Sequence, residues 1–213
     1  MKKTLYSLML NDEVVREVDI LAHRLGTNRS SLINEILAEY VNFTTPEKRI
    51  NDILSSIQEL MEPSGNLIPF FVPHSYSMSL KSSLEYKYRP TIKYEVELNR
   101  GVEKDIGTIS VLFRTQSPAL IEGMTEFFRL WAKIEASDLN GAQGADYSLY
   151  EGRFIRTLAR PSVDLSTNEL AGAIADYIKL FDSLMKGYLT GQYDAQYVEK
   201  AYHEYKNSFG IKF

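Results

Sequence analysis

Residues 1–43 read MKKTLYSLMLNDEVVREVDILAHRLGTNRSSLINEILAEYVNF, and this stretch decides how the chain is organised. A short segment of alternating side chains comes first, and two amphipathic segments follow it on either side of Gly26. In a strand, successive side chains point to opposite faces. The predicted faces are Tyr6, Leu8 and Leu10 on one side and Leu5, Ser7 and Met9 on the other. The pattern predicts one strand followed by two helices.

Each predicted helix carries an apolar stripe with the spacing of a buried helix face. The stripes are Val14, Val18, Leu21, Ala22 and Leu25 in the first helix and Leu32, Ile33, Ile36, Leu37, Tyr40 and Val41 in the second. Asn11 is the expected cap of the first helix, and Gly26 is its expected terminator. Thr27 or Asn28 then caps the second helix. Because about forty-five residues with one strand bury too small a core, we expect two copies to pair.

The stretch from residue 10 to residue 41 resembles the ribbon-helix-helix transcriptional regulators of the MetJ/Arc/CopG class. The resemblance depends on Leu10-Asn-Asp-Glu-Val14, on Ala22-His-Arg-Leu-Gly26 and on the run Arg29-Ser-Ser-Leu-Ile-Asn-Glu-Ile-Leu-Ala-Glu-Tyr-Val41. It implies that two chains pair their strands into an antiparallel ribbon that lies in the major groove of DNA. The helices interlock beneath the ribbon in that family.

The same resemblance implies a DNA-binding surface on this chain. Its residues are Lys2 and Lys3 at the start of the ribbon, Leu5, Ser7 and Met9 on the outward face, and Asn28, Arg29 and Ser30 at the start of the second helix. The backbone amides at that helix start would bind a phosphate. Leu5 and Met9 depart from the family pattern, because they cannot form the hydrogen bonds that distinguish base edges. They can contact thymine methyl groups instead.

The charges of this module leave two interpretations open. Residues 1–50 hold seven basic side chains, namely Lys2, Lys3, Arg16, Arg24, Arg29, Lys48 and Arg49, and seven acidic ones, namely Asp12, Glu13, Glu17, Asp19, Glu35, Glu39 and Glu47. Affinity for DNA grows with the number of phosphates neutralised, so a balanced module must concentrate its positive charge on one side. The module either binds an operator or only holds two chains together.

Composition limits what the whole chain can be. Of its 213 residues, 44% are hydrophobic and 24% are charged, which suits a small module plus one domain of about 150 residues. No run of eighteen apolar residues and no signal-type apolar segment is present, so we expect a cytoplasmic protein that does not enter a membrane. The absence of cysteine excludes disulfides and thiolate chemistry. The net charge of −4 confines any DNA contact to one end.

We expect an α+β fold in three parts: a ribbon-helix-helix module at residues 1–45, a connecting helix at 46–65 and an α+β domain at 66–213. The connecting helix carries the stripe Ile50, Ile53, Leu54, Ile57, Leu60 and Met61. This stripe either docks on the domain or pairs with its symmetry mate. Alternating runs after residue 66 predict an antiparallel meander. Pro69 and Pro73 indicate that its first run is either an edge strand or no strand at all.

The rest of the domain is predicted from shorter signals. The expected order is a helix from Ser117, a loop from Ser137 to Ser148, a strand over residues 152–161, and helices that start near Ser166 and Ala195. The loop prediction depends on Gly141 and Gly144, and the strand prediction on the run GRFIRTLARP.

Two sets of residues in this domain are candidate binding sites. Arg114, Arg153, Arg156 and Arg160 lie on or beside one predicted sheet. They either hold a small anionic effector through charge-assisted hydrogen bonds or are ordinary surface charges. The tyrosines of the last helix are Tyr193, Tyr197, Tyr202 and Tyr205. They suit either core packing or a protein partner.

No motif predicts catalysis or a cofactor. His23, His74 and His203 are far apart, so we expect no metal site. His74-Ser75 lacks the elbow motif of a hydrolase, and no nucleotide-binding signature occurs, so we expect no enzyme. The leading hypothesis is a dimeric DNA-binding transcriptional regulator, a repressor, whose second domain senses a ligand, binds a protein or extends the oligomer. The alternative is a non-enzymatic interaction protein that uses the module only to dimerise.

Overall fold

The computed structural model describes residues 4–72, 75–85, 89–101, 104–138, 146–150 and 152–209. Its helices are α1 (Asp12–Arg24), α2 (Arg29–Tyr40), α3 (Pro46–Met61), α4 (Pro118–Asp138), α5 (Thr167–Leu189) and α6 (Ala195–Phe209), with one 3-10 turn at Glu62–Ser64. Its strands are β1 (Ile68–Phe71), β2 (Ser77–Ser83), β3 (Thr91–Leu98), β4 (Asp105–Phe113), β5 (Tyr147–Tyr150) and β6 (Arg153–Ala159). The elements confirm a mixed α+β fold. Among the described helices, none is long and apolar enough to cross a membrane.

α1 begins and ends where the sequence predicts, and α2 begins where the sequence predicts. Asn11 caps α1, because its side chain accepts a hydrogen bond from the amide of Glu13 at 2.9 Å. Gly26 follows the helix with a φ of 66°, a conformation that favours glycine. Asn28 caps α2 by accepting from the amide of Ser31 at 3.0 Å. Residues 4–10 form no strand in the chain, so the complete ribbon-helix-helix module remains a prediction.

The sheet contains the predicted meander. Its order is β1-β2-β3-β4-β6-β5, and every neighbouring pair is antiparallel. β1 lies at an edge and contains Pro69, which has no amide hydrogen to donate to a further strand. Pro73, the second proline of that prediction, lies outside the described residues.

The opposite edge differs from the prediction of a loop between Ser137 and Ser148. Ser137 still belongs to α4, and Ser148 lies in β5, where it pairs with Ile155. Residues 139–145 lie outside the described part of the chain. The prediction missed β5 because a four-residue strand has too few residues to show alternation, and its pairing with β6 defines it. At the other end, α4 continues one residue past Ser137, to Asp138.

Helices cover one face of the sheet. The strand register places Met78, Val96, Ile109 and Arg156 in one row and Leu80, Tyr94, Val111 and Phe154 in the next. All eight side chains are buried. They form one hydrophobic cluster with the apolar faces of α3, α4, α5 and α6, apart from the charged Arg156. The other face is partly polar, as is common for an antiparallel sheet.

α3 belongs to this hydrophobic core. Of its predicted stripe, Ile50, Ile53, Leu54, Ile57 and Met61 are buried, while Leu60 is 42% exposed. The helix contacts α5 and β1. Arg49 donates from Nη2 to the carbonyl of Leu165 at 2.9 Å. Within the chain, the stripe therefore docks on the sheet domain.

Candidate functional site

The first two helices leave most of their apolar stripes uncovered within the chain. In α1 and α2, only Ala22, Leu32 and Ala38 are buried, and none of them belongs to the main core. Seven stripe residues are at least 37% exposed, namely Val14, Leu21, Leu25, Ile36, Leu37, Tyr40 and Val41. Apolar side chains exposed together on two adjacent helices indicate an interaction surface.

The segment that precedes α1 is also exposed, and the degree of exposure differs between neighbouring side chains. Met9 is fully exposed, whereas its neighbours Leu8 and Leu10 are exposed by 55% and 42%. Leu5 is 96% exposed and Tyr6 is 82% exposed. The side chains predicted to face outward are therefore more exposed than those predicted to face the helices.

The start of α2 offers backbone amides to an anion. The remaining predicted DNA contacts are Ser7, Asn28, Arg29 and Ser30, which are exposed, and Lys2 and Lys3, which lie outside the described residues. The amide of Leu32 donates a hydrogen bond to the carbonyl of Asn28, and the amide of Ser31 donates one to the side chain of Asn28. The amides of Arg29 and Ser30 have no acceptor within the described chain. Such amides, aligned with the helix dipole, can bind a phosphate.

The side chain of Arg29 is held by α1. Its Nε donates to Oδ1 of Asp19 at 2.6 Å, and its Nη2 donates to Oδ2 of the same carboxylate. The hydrogen bond from Arg29 holds the pKa of Asp19 below its usual value. An exposed pair contributes little stability, but its bidentate geometry fixes the start of α2 against α1. This pair occupies two of the five N–H donors of the guanidinium and places a carboxylate beside it, so the backbone amide is the donor of Arg29 that no acidic group adjoins.

The four arginines of the predicted anion site do not converge. Arg156 faces the helices and is 1% exposed, whereas Arg153 lies on the open face of the same strand. Arg153 approaches Glu95 at 4.0 Å. Arg114 and Arg160 lie beyond the ends of their strands and are exposed. The prediction grouped these residues by segment, although residues three positions apart on a strand point to opposite faces.

Arg156 instead joins a buried polar cluster around Glu135. Oε2 of Glu135 accepts hydrogen bonds from Arg156 Nε at 3.1 Å, from Tyr147 at 2.7 Å and from Tyr177 at 3.2 Å. Trp131 Nε1 donates to the Tyr177 hydroxyl at 2.8 Å. Burial, followed by the charge of Glu135, raises the pKa values of Tyr147 and Tyr177 well above the usual value for tyrosine. Both hydroxyl groups therefore stay protonated and donate hydrogen bonds. The cluster joins α4, α5, β5 and β6.

A second buried cluster lies beneath α5. Asp182 accepts from the Tyr94 hydroxyl at 2.8 Å and from Ser82 at 3.2 Å, and it pairs with Lys186 at 2.7 Å. Burial, followed by the charge of Asp182, raises the pKa of Tyr94 well above its usual value. Neither cluster was predicted from the sequence. The available signal was a polar residue on the buried face of a strand, such as Ser82 in β2 or Arg156 in β6.

Both clusters join helices to the sheet. The space between Tyr94, Arg156 and Tyr177 cannot hold even a water molecule. Searches against protein-family models, curated proteins and solved structures found no match. Within the described ranges, no group of three or more histidine, aspartate or glutamate residues could hold a metal ion. The amino-terminal surface is therefore the best candidate for a functional site.

The four tyrosines at the carboxyl end of the chain differ in burial: Tyr193 precedes α6, and Tyr197, Tyr202 and Tyr205 lie within it. Tyr202 is 3% exposed and packs in the core, whereas Tyr197 is 48% exposed and stacks on Tyr193 with ring centroids 4.2 Å apart. Burial, followed by the charge of Asp176, raises the pKa of Tyr205 to about 12. Of these four side chains Tyr197 is the most exposed, and a protein partner at this helix stays a prediction.

Proposed function

We propose that the chain is a homodimeric DNA-binding transcriptional regulator, a repressor, in which the amino-terminal module pairs two chains. The observation that carries the proposal is the exposure of the stripes on α1 and α2, although both helices have well-formed caps. A second copy would cover these stripes. Completing the burial of Leu21, Leu25 and Leu37 in both chains would contribute on the order of 5 kcal/mol, since fully burying one leucine is worth about 1.5–3 kcal/mol.

The same pairing gives residues 4–10 a partner. Two antiparallel copies would satisfy each other's backbone amides and carbonyls in a symmetric contact. Tyr6, Leu8 and Leu10 would then face the helices, in line with the lower exposure of Leu8 and Leu10. The opposite face would carry Leu5, Ser7 and Met9 into the major groove of double-stranded DNA.

Contacts to the DNA backbone come from two places in this proposal. The amides of Arg29 and Ser30 bind a phosphate at the start of α2, and Lys2 and Lys3 add positive charge at the start of the ribbon. Because the module has as many acidic as basic side chains, we expect modest affinity and few neutralised phosphates.

In this proposal the α+β domain binds a protein partner or extends the oligomer. A small anionic effector held by Arg114, Arg153, Arg156 and Arg160 is not included, since Arg156 and Arg153 lie on opposite faces of the sheet.

The test is a titration of the purified protein against the duplex upstream of its own gene at 50 and 200 mM salt, with light scattering to measure the oligomer. If four phosphates are neutralised, affinity should fall about a hundredfold between these salt concentrations. The variant Lys2→Ala/Lys3→Ala should bind more weakly and lose part of the salt dependence. A monomer at micromolar concentration would contradict the proposal.

A second function is favoured by the apolar character of Leu5 and Met9. These side chains would equally suit a protein surface, with the module used only for dimerisation. A stable dimer that shows no salt-dependent binding to any duplex would support this alternative and exclude the first proposal.

A further inference from the structure

The open face of the sheet, opposite the helices, carries a row of positive charge. The strand register aligns one side chain from each of the six strands, in the order Ile68, Lys81, Lys93, Leu112, Arg153 and Tyr150. Three of these side chains are basic and none is acidic, although the whole chain has a net charge of −4. The row is therefore a local concentration of positive charge on a chain that is negative overall.

The spacing of the three basic side chains suits a chain of phosphates. Lys81 and Lys93 are directly opposite each other on neighbouring strands, where like charges repel, so an anion bound between them would offset this repulsion. With strands about 4.8 Å apart, the row from Lys81 to Arg153 spans about 14 Å. The side chains of Lys93 and Arg153 are 40% and 44% exposed. One small anion cannot contact all three basic groups, whereas successive phosphates of one strand can.

Exposed rings at both edges of the open face indicate that this polyanion has bases. Tyr150 ends the row at one edge and is 62% exposed, while Phe70 in the adjacent row is 63% exposed at the other edge. The ammonium group of Lys81 lies 5.6 Å from the ring centroid of Phe70. Unpaired bases stack on such rings while basic side chains contact the backbone, whereas the bases of a duplex are already stacked on each other.

We propose that the open face of the sheet binds single-stranded nucleic acid. This activity goes beyond the proposed function, because it belongs to the α+β domain and needs neither the amino-terminal ribbon nor a second copy. The three basic side chains contact successive phosphates, and the rings of Phe70 and Tyr150 each stack on one base.

One acidic side chain limits the affinity of this surface. Glu95 lies in the adjacent row, where it pairs with Lys93 at 2.6 Å and approaches Arg153 at 4.0 Å. A phosphate must compete with this carboxylate for both basic groups. Glu95→Gln should therefore tighten binding severalfold, an effect opposite to that of ordinary damage to a binding surface.

The experiment measures the anisotropy of labelled (dU)12 and U12 at 50 and 200 mM salt, and the tighter of the two identifies the sugar. If three phosphates are neutralised, affinity should fall about twentyfold between these salt concentrations, since each phosphate contributes about −0.7 to the salt slope of a single strand. Lys81→Ala should reduce this fall to about sevenfold. Lys200→Ala is the control, because this side chain is 76% exposed on α6, and it should retain the full fall.

An abasic strand of the same length separates stacking from charge. It has the same phosphates and no bases, so it should bind at least tenfold more weakly than (dU)12. Phe70→Leu and Tyr150→Leu should each reduce this difference, because leucine is apolar but has no ring. Thermal unfolding at the temperature of the unaltered protein shows that each variant is folded.

Several outcomes would overturn this inference: no binding of either oligonucleotide at 50 mM salt, equal affinity for the abasic strand, or unchanged salt dependence in Lys81→Ala. Failure of Glu95→Gln to tighten binding would also overturn it. The proposed function is tested separately, since Lys2→Ala/Lys3→Ala should weaken binding to the duplex and leave binding to (dU)12 unchanged. Either proposal can therefore fail while the other stands.

Discussion

Arg156 donates from Nε to Oε2 of Glu135 at 3.1 Å, and the two side chains are only 2% and 1% exposed. Both charges have therefore been removed from water, and each compensates the other. Breaking such a pair leaves an uncompensated charge inside the protein, which costs far more than the pair itself contributes.

We predict that Arg156→Met or Glu135→Leu alone lowers the free energy of unfolding by about 3–5 kcal/mol. The double variant should lose much less than the sum, because no isolated charge remains in the core. Urea unfolding measures all three. The matched control is Arg153→Met on the same strand, whose partly exposed side chain should cost less than about 1 kcal/mol. Additive losses in the double variant would contradict a coupled pair.

Gly187 lies directly beneath the ring of Tyr193, and a β-carbon added to Gly187 would stand 1.9 Å from Cδ2 of that ring. We predict that Gly187→Ala destabilises the protein by about 1–3 kcal/mol through overpacking. Gly172 lies in the same helix with nothing within 4 Å of its added β-carbon. Gly172→Ala should therefore stabilise by about 0.5–1 kcal/mol. Thermal unfolding that shifts both variants in the same direction would refute this interpretation.

Dimerisation is expected to depend on the exposed stripe of α2. Leu37 is 50% exposed in the chain, and Leu37→Asp would place a charge in the interface of two copies. We predict that this change raises the dissociation constant of the dimer a hundredfold or more, as expected when about 3 kcal/mol or more is lost over two copies. Sedimentation velocity measures it. Val163→Asp is the matched control, because Val163 is 68% exposed and lies outside the module. If it raised the dissociation constant as much as Leu37→Asp does, the dimer interface would not depend on α2.

The phosphate contact at the start of α2 can be tested at one atom. Arg29→Pro removes the amide hydrogen, and proline fits this first helical position because Asn28 before it has φ −110° and ψ 159°. Arg29→Ala removes the guanidinium but retains the amide. We predict that Arg29→Pro binds DNA about tenfold more weakly than Arg29→Ala, the loss expected for a hydrogen bond to a charged group. Equal affinities in an anisotropy titration would exclude an amide contact.

Alkaline pH should destabilise the fold through Tyr205, whose side chain is partly buried. Burial and Asp176 raise the pKa of Tyr205 from 10.0 to about 12, so the folded protein retains a proton that the unfolded chain loses. Stability is therefore maintained below pH 10 and falls as pH rises from 10 towards 12. Tyr205→Phe should make the fall shallower between pH 9 and pH 11 in denaturant titrations. A fall of unchanged steepness would show that this phenol does not contribute.

Part of the candidate site could be predicted from local sequence. Asn11 was expected to cap α1, and the structure confirms it; of the two expected caps of α2, Thr27 and Asn28, the structure has Asn28. A cap depends on hydrogen bonds to amides two or three residues away, which is why it shows in the local sequence. The salt bridge between Arg29 and Asp19 could not be predicted from local sequence. It links residues ten positions apart on two helices, so it depends on how those helices pack.

The sequence by itself determined where α1 begins and ends, where α2 begins, the meander and the edge position of β1, since capping, proline and alternation act over a few residues. It also contained the exposed stripes that favour a second copy. Packing between distant segments decided that α3 docks on the core, that β5 forms, and that Glu135 meets Arg156 while Arg153 lies on the other face. These features depend on strand pairing and on burial of charge, which bring together residues far apart in the chain.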